Sequence, residues 1–201
     1  MRSRPRPRTE VGSALVVLAV LAIVAVALRP ARAQQPPQPP AGPDANPALA
    51  ELQAKARARM ERDQALMSNA DAQALETLYQ RANRDLKGPD AKPVLREVVE
   101  KYPHTNRAGC AVLYLAQLSS GTEREAYLRR AIADHFDDWY GDGTQVGPLA
   151  RAQLAAYMAA TGQRADAVAL ASSVARDFPE AVDHGGRRLA EILSALGLLE
   201  P

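Results

Sequence analysis

The residues of this chain that could do chemistry are few and scattered. Three histidines, His104, His135 and His184, lack the H-x3-H or H-E-x-x-H spacing that puts two ligands on one helix face for zinc. The single cysteine, Cys110, lies among Ala108, Ala111 and Val112 and reads as a small buried hydrophobe. One polar cluster is conspicuous: Asp137-Asp138-Trp139-Tyr140-Gly141-Asp142-Gly143. Counted as a calcium loop from Asp138, it puts Asp142 and Gly143 at the fifth and sixth places. Its twelfth place is Leu149, where a bidentate glutamate is required. The cluster is therefore expected to be a connecting loop, with Asp and Gly supplying turn geometry and Trp139 packing over a helix end. No nucleophile elbow, phosphate-binding glycine loop or catalytic Cys/His pairing is present. Glu76, Glu97, Glu100 and Glu191 are the candidates for a helical acid–base enzyme, and none has a distinguishing context. The expectation is no catalytic residue, no cofactor and no metal.

Charge argues against nucleic acid once it is located. The 201 residues carry 25 basic and 23 acidic side chains, a net +2. Residues 1–33 hold six arginines and one acid, Glu10, so the excess positive charge belongs to the N-terminus and the remainder is mildly acidic. Arg57, Arg59 and Arg62, and the pair Arg187-Arg188, read as solvated helix-face charges.

The elements that must position these residues begin with an address. Residues 11–28 are uncharged and apolar, and four arginines precede them, so residues 1–33 are expected to be a signal peptide or an N-terminal signal anchor. Arginine bias keeps the N-terminus cytoplasmic and exports the rest. The segment either spans the inner membrane with the C-terminal domain outside the cytoplasm, or is cleaved near Ala33 to release a periplasmic protein. Residues 34–47, QQPPQPPAGPDANP, are a disordered, polyproline-like linker.

Beyond the linker, apolar residues recur at threes and fours, which predicts an all-α domain. A first helix over 48–67 has a thin stripe of Leu49, Leu52, Ala56 and Met60, suited to a stalk or to a helix lying loosely on the domain. Residues 68–201 then divide into helices. Ser68 with Asp71, and Thr122 with Glu125, have capping-box spacing, and Thr105 can cap a helix from Asn106. Tyr102-Pro103 and Phe178-Pro179 are stops, and Gly162 is a turn. The helix over 164–178 buries Ala167, Val168, Ala171, Val174, Ala175 and Phe178.

The segment from Leu149 to Pro179 resembles the tetratricopeptide repeat, with Leu154-Ala155, Gly162 at the turn, Ala167 and a closing Pro179. Arg151 stands where that family has a bulky aromatic residue, and Val174 where it has the later alanine. A second unit, Asn106 to Asp138, carries Leu115-Ala116, Ala126 and Ala133; Tyr102-Pro103 closes a more degenerate one starting near Ser68. The resemblance implies antiparallel helical hairpins stacked as a short solenoid, in which the first helix of each pair lines a partner-binding groove. On the matching positions that groove presents Leu113, Gln117, Ala152 and Ala156. Ala152 and Ala156 cannot donate hydrogen bonds, so no carboxylate clamp is expected there. The groove is either covered by the chain's own first helix or open to an apolar protein segment. The function these expectations support is an exported or membrane-tethered protein-binding adaptor of the cell envelope. The alternatives are a helical cell-wall or ligand-processing enzyme, or a structural stalk.

Overall fold

The computed structural model describes residues 47–199. The expectations for the leader, its apolar stretch and the linker up to residue 46 lie outside the described residues. No helix among those described is long and apolar enough to cross a membrane.

The described chain is all-helical, as its periodicity predicts. In order come α1 (Pro47–Leu66), α2 (Asn69–Arg84), α3 (Ala91–Lys101), α4 (Asn106–Gln117), α5 (Gly121–Asp134), α6 (Val146–Ala160), α7 (Arg164–Asp177) and α8 (Leu189–Ala195). From α2 onward each helix packs on the next. The even-numbered helices also touch one another in turn, α2 on α4, α4 on α6 and α6 on α8. They form one continuous row, with α3, α5 and α7 as a second row against it.

Small residues let the two rows approach closely. Ala111 and Ala116 on α4, Ala131 on α5, Ala150 and Ala155 on α6, and Ala167 and Ala171 on α7 are all completely buried in one core with Leu95, Leu113, Leu128 and Val174. Val168, expected in the α7 stripe, is exposed instead. The turn between α6 and α7 is a Schellman closure. Gln163 N–H donates to the Met158 carbonyl at 2.8 Å and Gly162 N–H to that of Ala159, with Gly162 at φ +91°.

Two capping expectations hold and one fails. Ser68 Oγ accepts from Asp71 N–H at 3.1 Å, and Thr105 Oγ1 from Ala108 N–H at 3.3 Å. Thr122 lies inside the first turn of α5, which starts one residue earlier behind Ser120, so the Thr122–Glu125 box does not form.

Three links carry the chain from the second row back to the first, and all start alike. Tyr102, His135 and Phe178 each follow a helix end with φ near −131° to −137° and donate backward to the carbonyls of Val98, Ala131 and Val174. After Tyr102 the chain enters α4 within four residues. After His135 and Phe178 it makes a longer excursion with an isolated β-bridge, Trp139 with Gln145 and Val182 with Arg188. These two excursions are structural copies. Val146 N–H donates to Asp138 O as Leu189 N–H does to Ala181 O, each at 2.8 Å, and Gly143 and Gly186 both have positive φ. This excursion also explains why α8 begins only at Leu189.

Candidate functional site

The polar residues singled out by sequence converge on one edge of the domain, where α1 crosses the start of α4 and the two copied excursions. Leu52 and Ala56 of α1 pack on Trp139 and Val182, with Leu49 alongside. One turn farther along α1, Arg59 meets the buried carboxylate of Asp63 and reaches Asp138 at 2.9 Å and the His104 carbonyl at 3.3 Å. Asp63 in turn accepts from the Asn106 backbone N–H, the first in α4, so a carboxylate sits where the helix leaves an unsatisfied donor.

Asp138 is held from both sides, by Arg59 and by His135 Nδ1 at 2.9 Å. Burial pushes its carboxyl above the ordinary aspartate range, against the opposing pull of His135 and Arg59. Asp142 accepts from Thr144 N–H at 2.9 Å and lies 2.8 Å from His184 Nδ1. Burial raises Asp142 too, but the His184 hydrogen bond and charge and the Thr144 donors outweigh it, and the group falls below its ordinary value. Both Asp138 and Asp142 are thus engaged in interactions within the protein. Among the described residues there is no group of three His, Cys, Asp or Glu side chains able to hold a metal ion.

An aromatic ladder lies behind this edge. Tyr79, Tyr114, Tyr140 and His184 follow one another at centroid spacings of 6.3, 5.4 and 4.5 Å, and Tyr140 Oη donates to the Cys110 carbonyl at 3.1 Å. Cys110 is completely buried, as its neighbours predict, and burial pushes its thiol well up. Arg107 closes the far end, stacked 4.5 Å over Tyr79 and bound to Glu76.

Several sequence readings need correction. Arg59 is a half-buried ionic centre bound to two buried carboxylates rather than a solvated charge. Arg187 and Arg188 stand on the second excursion, not on a helix face, and pair with Asp183 and Glu180. Helix α1 docks through a specific polar network instead of lying loosely. Trp139 packs on the side of α1. The acid–base candidates do not converge: Glu76 serves Arg107, Glu97 serves Lys101 and Arg81, and Glu100 and Glu191 are exposed.

The groove positions separate into two kinds. Leu113 is completely buried and Ala152 nearly so, and both belong to the core, while Gln117 and Ala156 keep partial exposure. Of the four, Gln117 and Ala156 retain more surface than Leu113 and Ala152. The docking contacts of α1 fall on 104–106, 138–143 and 182. Arg151 resolves the missing aromatic: its guanidinium lies 4.7 Å from the Phe136 ring and 5.5 Å from the Phe178 ring, themselves 5.2 Å apart. It joins the two excursions as a flat filler.

Sequence reasoning missed Arg59, Asp63 and Asn106 as a unit. The local signal was an Arg–Asp pair four residues apart on the apolar stripe's own side of α1; its partners lie some forty residues away. No protein-family model, curated protein or solved structure matches the chain.

Proposed function

We propose that this protein is a tetratricopeptide-like adaptor of the cell envelope, exported or held at the membrane by residues 11–28, which receives a segment of a protein partner along the row α2, α4 and α6. The observation that carries this reading is the alternation of contacts: even helices touch each other in series, and α3, α5 and α7 each pack against the even helices before and after them. Such a row continues from hairpin to hairpin; because residues 106–116 of α4 are buried throughout, the surface it offers a segment lies toward the C-terminal ends of α4 and α6, at Gln117 and Ala156. Ala155 facing a close-packed neighbour, Ala167 buried opposite, and Gly162 at the turn fit the small-residue logic of that repeat family. The absence of convergent carboxylates at the four glutamate candidates favours binding over catalysis.

The test is photo-crosslinking in cells, with a photoreactive residue placed at Ala156, at Gln117 and, as a control, at Val168 on the second row. Recovery of the same partner from Ala156 and Gln117, and its absence from Val168, is the expected result. Equal capture from all three, or none from the first two, overturns the reading. An alkaline phosphatase fused after Pro201 is expected to be active; an inactive fusion with normal expression sinks the exported orientation.

A further inference from the structure

Helix α1 meets the domain through a self-contained set of contacts. Leu52 and Ala56, with Leu49 alongside, pack on Trp139 and Val182 in a cluster of their own, separate from the core that unites α2 to α8. Arg59 on Asp138, and Asp63 on the Asn106 N–H, complete the set. The receptor for α1 thus runs from residue 182 through 138 to 106, across all three links. None of these partners belongs to α2, the helix that follows α1 in the chain. The same side chains brought by a second copy meet this receptor identically, which is the condition for exchange of an element between protomers.

The link that would have to open is short and made for helix. Only Met67 and Ser68 separate α1 from α2. Ser68 has a helical φ of −66° and is extended only in ψ, at 152°, where its side chain is tied to Asp71. From Leu66 to Ala72 there is neither glycine nor proline to hold a bend. Winding Met67 and Ser68 into helix joins α1 and α2 into one helix over residues 47–84 and carries α1 away from its own receptor. Short hinges of this kind favour exchange. Beside the hinge stands Leu66, 80 % exposed. At 3.6 residues per turn, Ala58, Ala65, Leu66, Asn69 and Gln73, all exposed, share one face of the joined helix. That face lies about a third of a turn from the docking residues Leu52, Ala56 and Asp63, and about as far from the core residues Leu75, Tyr79 and Ala82, so it stays free when both are seated.

We propose that two copies of this chain exchange α1. Each joined helix seats Leu52, Ala56, Arg59 and Asp63 on the receptor of the other copy, and the two hinges cross at Leu66, where Ala58 and Ala65 are small enough to let the helices approach. The partner copy then supplies the cation for Asp138 and the carboxylate for the start of α4, and without it each edge is incomplete. Exchange keeps every docking contact. It gives up the Ser68 cap and the independence of the second chain, and it gains the helical hydrogen bonds of the link and the burial of two Leu66 side chains.

The experiment follows the full-length chain in detergent, by its protein mass from light scattering and by crosslinking. A photoreactive residue replaces Gln53, which lies beside Gly143 of the receptor. Equal amounts of 15N-labelled and unlabelled chain are unfolded, mixed, refolded and illuminated, and crosslinks between the peptides holding residues 53 and 143 are sorted by label. A two-chain mass, with mixed-label crosslinks as frequent as matched ones, is expected. Asn69→Pro puts proline at the first position of α2, where a helix accepts it, and disfavours helical backbone at Ser68. It should give a one-chain particle with matched-label crosslinks and an undiminished Tm. Leu66→Lys, at a position exposed in the single chain, should raise the dimer dissociation constant at least about tenfold. A one-chain mass for the unmodified protein, or a two-chain mass with matched-label crosslinks only, overturns the proposal. Mixed-label crosslinks that persist in Asn69→Pro overturn the hinge. Neither result bears on capture at Ala156 or Gln117, so either reading can fail without the other.

Discussion

Asn106 and Trp139 exchange two hydrogen bonds: Asn106 Nδ2 donates to the Trp139 carbonyl at 2.7 Å, and Trp139 N–H donates to Asn106 Oδ1 at 2.6 Å. The side-chain amide thus serves as a strand partner for one buried peptide unit. It fixes the first excursion to the start of α4, and α1 packs on the Trp139 ring from outside. Asn106→Ala leaves the Trp139 N–H without its partner and its carbonyl with only the weak Cys110 thiol donor at 3.5 Å, at about 1–3 kcal/mol for each buried group. Urea unfolding followed by the emission of Trp139, the only tryptophan, should show a loss of about 2–5 kcal/mol. A change under 0.5 kcal/mol, roughly the scale of an uncommitted surface position, would refute this role.

The Arg59 centre predicts a non-additive pair. Arg59→Met removes the cation shared by two buried carboxylates, leaving Asp63 with the Asn106 N–H and Asp138 with His135, and should cost about 3–5 kcal/mol. Asp138→Asn in the same chain removes one stranded charge and should recover part of that loss. A double variant no more stable than Arg59→Met shows that Asp138 and Arg59 are not coupled.

Asp138 and Asp142, four residues apart, should shape acid stability in opposite senses. The raised Asp138 contributes stability that is full below the ordinary aspartate pKa and is lost as pH rises through its folded value. The depressed Asp142 contributes stability present above the ordinary aspartate pKa, which is lost as pH falls through its lower folded value. In Tm profiles from acid to neutral pH, Asp142→Asn should flatten the fall at the most acidic end. Asp138→Asn should instead flatten the loss that sets in on rising from the ordinary aspartate pKa. The same change of profile in both variants would contradict the assignment.

Gly109 offers a test in which propensity and packing disagree. Alanine in a helix interior is favoured over glycine by about 1 kcal/mol. A Cβ here, however, would collide with the Asp138 carboxylate, which Arg59 and His135 hold in place. Gly109→Ala is expected to lower stability by about 1–3 kcal/mol, the cost of overpacking a fixed site. Calorimetry showing a higher Tm for this variant would mean that Asp138 moves freely.

Helix positions, most stops and the small-residue contacts were legible because they depend on local periodicity and on residues with strong local preferences, such as Ser68, Thr105, Gly162 and Pro179. The two excursions were not legible as copies. They share backbone hydrogen bonds and a positive-φ glycine, but their side chains differ almost throughout, Trp139 corresponding to Val182 and Tyr140 to Asp183. Val168 shows the limit from the other side: an apolar residue at the edge of a stripe is buried only if the neighbouring row extends far enough to cover it.

By itself, the sequence determined an all-helical domain, because alanine-rich 3.6-residue periodicity punctuated by glycine, proline and capping residues is satisfied within each segment. It also located Cys110 in the core and the Asp/Gly cluster in a loop. Only the tertiary structure decided that this loop is clasped by α1, that Asp138 shares Arg59 with Asp63, and that Arg151 lies against the paired rings of Phe136 and Phe178. It alone decided that Arg124 is buried while its neighbours Glu123 and Glu125 are taken by Lys92, Arg96 and Arg129. The physical reason is common to all four. A charge's partner and its exposure are set by whichever surface folds against it, and that surface comes from segments tens of residues away, where no local pattern points.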